Sequence, residues 1–225
     1  MSRNMPTDLK TRGIVLRRTN YGEADRILSV LTPEGKVSVM AKGVRKAKSR
    51  LAGAVEMFTV SELQIHFGRG EMGTLTGAKM VEHFAELTRD LARLTLASEI
   101  LKKVERVAEG TNTAEYYNIV NQSLAGLNSG VDMEMVEAWA VLNLRRVMGE
   151  ELNLYRDVAG DKLTADAKYS WNGMEGAFEL NERGNFGADE IKLLRLMQVT
   201  GLSTVQRVKC DKKTMREVVL LTRIV

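Results

Sequence analysis

The sequence predicts an α+β chain in which a small N-terminal β-barrel precedes an all-helical domain that carries a glycine-containing hairpin insertion. Three observations carry this. Apolar residues alternate with polar ones between Thr11 and Val81, they recur every three or four positions after Val81, and glycines break the second period between residues 151 and 187. With 225 residues, 44% of them apolar and 28% charged, the chain can bury a sizeable core, and a disordered or fibrous class is excluded.

The strands follow in order. Ile14 and Leu16 mark the first, Leu28 and Val30 the second, and Val37, Val39 and Ala41 the third, where they oppose Lys36, Ser38 and Lys42. Asn20-Tyr21-Gly22-Glu23 and Pro33-Glu34-Gly35 separate them, and the second of these is predicted as a tight turn with Gly35 in the left-handed conformation. In the next run Phe58 and Val60 share one phase while Leu63, Ile65 and Phe67 share the other, so a bulge is expected near Ser61-Glu62. A short last strand is expected over Thr74 to Met80. Five strands in about 70 residues can close into an OB-fold, which removes the two open edges a flat sheet would leave.

After Val81 the stripe Phe84, Leu87, Leu91, Leu94, Ala97, Leu101, Val104 and Ala108 predicts one long amphipathic helix. Gly110 would end it, Asn112 and Glu115 would form a capping box, and Tyr117, Val120, Leu124 and Leu127 predict a second helix. Asp132 would cap a third, bearing Val136, Trp139, Ala140, Leu144 and Val147, and the stretch from 82 to 150 is expected to be a helical bundle. Residues 153–187 form the insertion, with a hairpin about Asn172-Gly173, and two more helices are predicted from Asp189 to Gln198 and from Asp211 onward. The domains expected are therefore 1–81 and 82–225.

Charge is concentrated at one end. Residues 1–80 hold 14 Lys and Arg against 7 Asp and Glu, while residues 81–225 hold 19 against 22. Six of the N-terminal cations, Lys36, Lys42, Arg45, Lys46, Lys48 and Arg50, fall in fifteen residues without an acid, a footprint suited to a phosphate backbone. Arg17, Arg18, Arg26 and Arg69 are candidate flanking contacts. Tyr21, Phe58 and Phe67 are the N-terminal aromatics that could stack on bases, and the strand phases of the two phenylalanines point them into the core.

Other motifs fail on context. The string Gly68-Arg69-Gly70-Glu71-Met72-Gly73 has dinucleotide-binding spacing but leads into a predicted strand, Thr74-Leu75-Thr76, where the phosphate-binding mechanism needs a helix. His66 and His83 stand far apart, Asp157, Asp161 and Asp166 lack calcium-loop spacing, and the lone Cys210 can form neither an internal disulfide nor a thiolate cage. A reducing, cytoplasmic setting is expected. No apolar run approaches the ~18 residues of a membrane span, and no signal peptide, metal, cofactor or enzymatic activity is expected.

The collinear blocks Gly13-Ile14-Val15-Leu16, Tyr21-Gly22-Glu23-Ala24-Asp25-Arg26-Ile27, Gly35-Lys36-Val37 and Ala41-Lys42-Gly43-Val44-Arg45-Lys46-Ala47-Lys48-Ser49-Arg50-Leu51 resemble the N-terminal domain of the RecO recombination mediator family over about 75 residues. The resemblance implies a non-enzymatic protein of recombinational repair, associated with the nucleoid. It would bind single- and double-stranded DNA, anneal complementary strands and help RecA displace single-stranded DNA-binding protein, whose acidic C-terminal tail it would also bind, with RecR as co-mediator. Lys102, Lys103, Arg106, Arg145 and Arg146 are candidate rim residues for a groove holding that tail. A monomer is expected. Many family members carry a four-cysteine zinc site in the insertion, which this chain lacks. A scaffold or RNA-binding adaptor acting through protein partners is the alternative.

Overall fold

Strand β1 (Asp8–Tyr21) is long enough to serve two neighbours. Its first half pairs antiparallel with β4 (Thr59–Phe67), from Asp8↔His66 to Ile14↔Val60, and its second half with β2 (Asp25–Leu31), from Ile14↔Leu31 to Tyr21↔Asp25. The changeover lies at a register shift between Val15 and Arg17, where Ile14, Val15 and Leu16 are all buried in succession and the simple alternation breaks. Strand β3 (Lys36–Ala41) continues the meander, and β5 (Gly73–His83) pairs with β4. The order β1-β2-β3-β5-β4 closes back on β1, and its seam is a short parallel contact of Val39 with Gly73 and Met40 with Thr74. Gly73 is required there, because a Cβ would stand 2.4 Å from the Ile65 side chain. Val15, Leu28, Val30, Val37, Val39, Ile65 and Leu75 fill the interior.

This is the five-stranded OB architecture expected, in a computed structural model that describes residues 7–108 and 113–225. The expected bulge is present as a register shift between Val60 and Ser61. Two local readings are corrected. The glycine of left-handed conformation lies in the first turn, Gly22 at φ +53°, and not at Gly35. The β2–β3 turn is instead closed by the buried Thr32, whose hydroxyl bonds the Gly35 carbonyl at 2.8 Å and accepts from the Gly35 amide at 3.1 Å. The second correction is at the end of the barrel. β5 runs past Met80 to His83, with Glu82 and His83 opposite Val60 and Thr59, and a 3₁₀ turn (Ala85–Arg89) precedes helix α1 (Leu91–Val107). Phe84 and Leu87 are buried by that single turn, whose three-residue spacing also fits an α-helical stripe. Asp90 is the true N-cap, its carboxylate accepting from the Ala92 and Arg93 amides.

Helix α2 (Thr113–Asn128) follows, and the expected stop at Gly110 and cap at Asn112 lie outside the described residues. The chain divides into two compact units, Met1–Asn128 and Ser129–Val225, so α1 and α2 belong with the barrel and the bundle expected over 82–150 is divided between units. In the second unit Asp132 caps α3 (Met133–Val147) by accepting from the Met135 amide. Strands β6 (Tyr169–Asn172) and β7 (Ala177–Leu180) form the insertion hairpin. Its connection is a four-residue loop, not a two-residue Asn-Gly turn. Asn172 Oδ1 accepts from the Met174 and Glu175 amides, and Gly176 takes the left-handed position at φ +62°. Helices α4 (Ala188–Val199), α5 (Leu202–Val205) and α6 (Lys212–Ile224) complete the unit. Buried polar groups tie α3 to α4 and to the residue after it: Asn143 Nδ2 donates to the Trp139 and Met197 carbonyls, and Trp139 Nε1 donates to the Thr200 carbonyl at 2.8 Å.

Candidate nucleic-acid interface

The residues after β3 leave the barrel as a folded turn. Gly43 takes φ +64°, its amide donates to Asp25 Oδ1 at 2.6 Å, and the Arg45 amide donates to the Ala24 carbonyl at 2.8 Å. Internal bonds from the Lys46 amide to the Gly43 carbonyl and from the Ser49 amide to the Lys46 carbonyl tighten the turn, and the buried Val44 pins it to the core. One apolar anchor and a set of backbone bonds thus hold the segment while its cations face outward. Lys42, Arg45, Lys46, Lys48 and Arg50 are all exposed, and among the described residues none of them makes an ion pair. Arg45 also donates to the Gly22 carbonyl at 3.1 Å, which links the loop to the β1–β2 turn and its exposed Glu23.

Arg69 approaches this loop from the opposite end of the barrel, since β3 and β5 run parallel. It lies in the β4–β5 connection, the string with dinucleotide-binding spacing, which joins two strands as expected. The seam pairs Gly73, the first residue of β5, with Val39, three positions before Lys42, so the start of β5 lies near the root of the basic loop. Tyr21, 56% exposed at the end of β1, stands on the rim of the basic loop, whereas Phe58 and Phe67 are buried. Tyr21 is therefore the aromatic available for stacking.

The remaining predicted contacts are engaged within the fold. Arg18 and Arg26, on neighbouring strands, both pair with Glu56, Arg26 at 3.0 Å. Arg17 pairs with Glu105 at 3.0 Å, and Lys36 Nζ donates to the Glu105 backbone carbonyl at 2.6 Å, both at the C-terminal turn of α1, where the helix dipole favours cations. The partners Glu56 and Glu105 lie 30 to 88 positions away in sequence.

Sequence reasoning missed a second basic surface, on the outer wall of β1, β4 and β5, where Lys10, Arg12 and Lys79 border a groove of about 580 Å³. Strand alternation marks these three as outward-facing, but they are dispersed in sequence and form no run.

In the second unit, a pocket of about 340 Å³ is lined by Leu193, Leu196 and Val208, with Lys192 and Lys209 and the acids Asp189 and Asp211 also at its wall. Among the rim residues expected for a peptide groove, Lys102, Lys103 and Arg106 are exposed on α1, and Arg145 and Arg146 are half-buried on α3. None of them lines this pocket.

The insertion does not fit a zinc centre. It contains no cysteine, and its interior is aromatic: Phe178, fully buried, meets the rings of Tyr169, Trp171 and Phe186 at centroid distances of 6.3, 5.3 and 5.3 Å. Among the described residues no helix is long and apolar enough to cross a membrane.

Comparison with known proteins agrees along the whole chain. Residues 5–84 match the family model described as Recombination protein O N terminal, and residues 88–223 match Recombination protein O C terminal. The families thus divide near the change of hydrophobic period, whereas the compact units divide after Asn128. Among curated relatives, a "DNA repair protein RecO" from Dehalococcoides mccartyi strain CBDB1 is 30% identical over 97% of this chain and 89% of its own length. One from Bacillus pumilus strain SAFR-032 is 30% identical over 93% and 84% respectively. One from Roseiflexus sp. strain RS-1 is 32% identical over 74% of this chain and 59% of that protein. The chain belongs to the RecO family.

Proposed function

We propose that this chain is a non-enzymatic mediator of recombinational DNA repair. It binds single- and double-stranded DNA at the barrel rim, anneals complementary strands, and with RecR helps RecA take over DNA covered by single-stranded DNA-binding protein. The repair role rests on the family. The binding mode rests on one observation above all: five exposed cations, free of ion pairs among the described residues, on a loop held in shape by Asp25 and Val44.

Phosphates contacted by Lys42, Arg45, Lys46, Lys48 and Arg50 release their condensed counterions, so binding is driven by entropy and falls with salt. Arg69 and Tyr21 extend the contact, the latter by stacking. Annealing follows from the same neutralisation. Two strands repel through their phosphates, and a surface that screens both lets base pairing begin without reading sequence. Arg17, Arg18, Arg26 and Lys36 act in this scheme as fold-internal cations that shape the rim.

For the acidic tail of single-stranded DNA-binding protein, the pocket bounded by Leu193, Leu196 and Val208 offers apolar walls, with Lys192 and Lys209 for carboxylates. Titration of a tail peptide at low salt should shift the resonances of these residues, and K192E/K209E should abolish the shift.

The test of the main reading is annealing of complementary oligonucleotides, bare and coated with single-stranded DNA-binding protein, across a salt series. The wild type should accelerate annealing, and R45E/K46E/K48E should not while melting normally. Unchanged annealing by the folded triple variant would overturn the rim. DNA binding without annealing would favour an adaptor that works through protein partners.

A further inference from the structure

Two rows of outward side chains cross the β1–β4–β5 wall. Lys10, Gln64 and Gly77 are cross-strand neighbours in one row, and Arg12, Glu62 and Lys79 in the next. Adjacent strands stand about 4.8 Å apart and alternate residues about 6.7 Å, so the three cations lie within roughly 12 Å of one another. That is comparable to the Debye length of about 10 Å at 0.1 M salt, and their fields overlap at low salt. Glu62 is the one acid among the groove's lining residues, 4.0 Å from Arg12, while Lys10 and Lys79 make no ion pair among the described residues.

The concavity has a local cause. The register of β4 against β5 shifts between Gln64 and Ile65, which leaves Thr76 as an extra residue beside Gly77. At Gly77 a Cβ would meet Gln64 Oε1 at 3.1 Å, so the glycine lets the Gln64 amide lie across β5 and leaves a notch in the wall. Gln64 is three residues before Phe67, the end of β4, and the connection bearing Arg69 follows. The groove thus begins about 10 Å along β4 from that connection.

We propose that this wall is a second contact for a single DNA strand: nucleotides beyond those held at the rim pass Arg69 and lay their phosphates against Lys10, Arg12 and Lys79. The inference rests on the rim reading above and extends it. A continuous track of this kind lengthens the strand held by one barrel, so the wall matters only for oligonucleotides long enough to reach it.

The experiment measures affinity against salt for oligonucleotides of about 4 and about 16 nucleotides, the limits of common OB-fold site sizes. With the longer strand, K10Q/K79Q should lower the slope of log affinity against log salt by about 1.4, which is two phosphates at about 0.7 each. With the shorter strand the slope should stay unchanged. Glu62→Gln, which removes the lone acid, should tighten the longer strand several-fold and leave the shorter one alone. If the wild type binds DNA and both variants match it at both lengths, the wall is not a contact and the rim reading stands. If the wild type binds neither strand, the rim reading fails and the wall falls with it.

Discussion

The Asp25 carboxylate accepts a 2.6 Å hydrogen bond from the Gly43 amide, tying the first turn of the barrel to the root of the basic loop. Its role is to shape the loop, since the cations themselves lie further along. Asp25→Ala should therefore leave the charge inventory of the loop intact and loosen its geometry. A lost charge-assisted bond of about 1.5 kcal/mol corresponds to roughly ten-fold weaker DNA binding if the loop must be reordered on each encounter. The salt slope should not move. Fluorescence anisotropy over a salt series separates the two, and a slope that fell by several phosphates would mean Asp25 holds the cations in place directly.

Glu56 makes the opposite prediction. It pairs with both Arg18 and Arg26, so the double variant R18Q/R26Q should lower the melting temperature and leave the salt slope of DNA binding unchanged. Glu56→Gln should destabilise the barrel by about 1 kcal/mol, because two half-buried guanidiniums lose a shared partner. The same substitution should raise DNA affinity, since two cations beside the rim are released. A melt and a binding isotherm on each variant check both signs.

The loop cations were legible in sequence because a charge run without acids cannot be neutralised locally. Lys36 belongs to the same run and Arg17, Arg18 and Arg26 read as flanking contacts, and the partners of all four became visible only once the chain brought Glu56 and Glu105 against the strands. The five strands were legible from alternation, and the phase switch near Ser61-Glu62 revealed the bulge, while the order β1-β2-β3-β5-β4 is set by pairings that alternation does not encode. The end of β5 was hidden by ambiguity: Phe84, Leu87 and Leu91 repeat at intervals that a 3₁₀ turn followed by a helix satisfies as well as one continuous helix does. Asp90 was the available signal, an acid directly before the apolar run, as a capping position requires. The wall cations were hidden for another reason. Lys10, Arg12 and Lys79 meet through strand register, which local sequence does not encode.

The aromatic cluster of the insertion predicts a local failure. Phe178 is the ring that Tyr169, Trp171 and Phe186 all touch, and truncating a buried phenylalanine costs about 3–5 kcal/mol. Two short strands cannot absorb that loss, since an isolated hairpin is marginal in water. Phe178→Ala should abolish hydrogen-exchange protection from Tyr169 to Leu180, while amides of the barrel stay protected and DNA binding at the rim is unchanged. Added zinc should not restore the protection, because the segment supplies no thiolate. Restoration by zinc would overturn the reading of this hairpin as an aromatic replacement for a metal.

Glu190 predicts an acid-sensitive joint between α4 and α6. Its Oε2 accepts from the Gly187 amide at 2.9 Å, and its Oε1 accepts from the Thr214 hydroxyl at 2.6 Å. Glycine has no side chain to return the bond, so the capping of α4 at Gly187 is one-sided and comes from the Glu190 carboxylate. Partial burial pushes its pKa up, but the Thr214 and Gly187 hydrogen bonds outweigh burial and hold it below the ordinary value of 4.5. A folded pKa below the unfolded one gives stability that is complete above the unfolded value and is lost as pH falls through the folded value. Glu190→Gln should thus cost about 0.5–1 kcal/mol near neutral pH, where the negative charge also favours the helix N-terminus. The gap between wild type and variant should narrow once the pH drops below 4.5 and close when the carboxyl is protonated in both states. Denaturant melts of the pair across that range provide the test, and a gap that stayed constant into acid would mean that the bond geometry, and not the charge, holds the two helices.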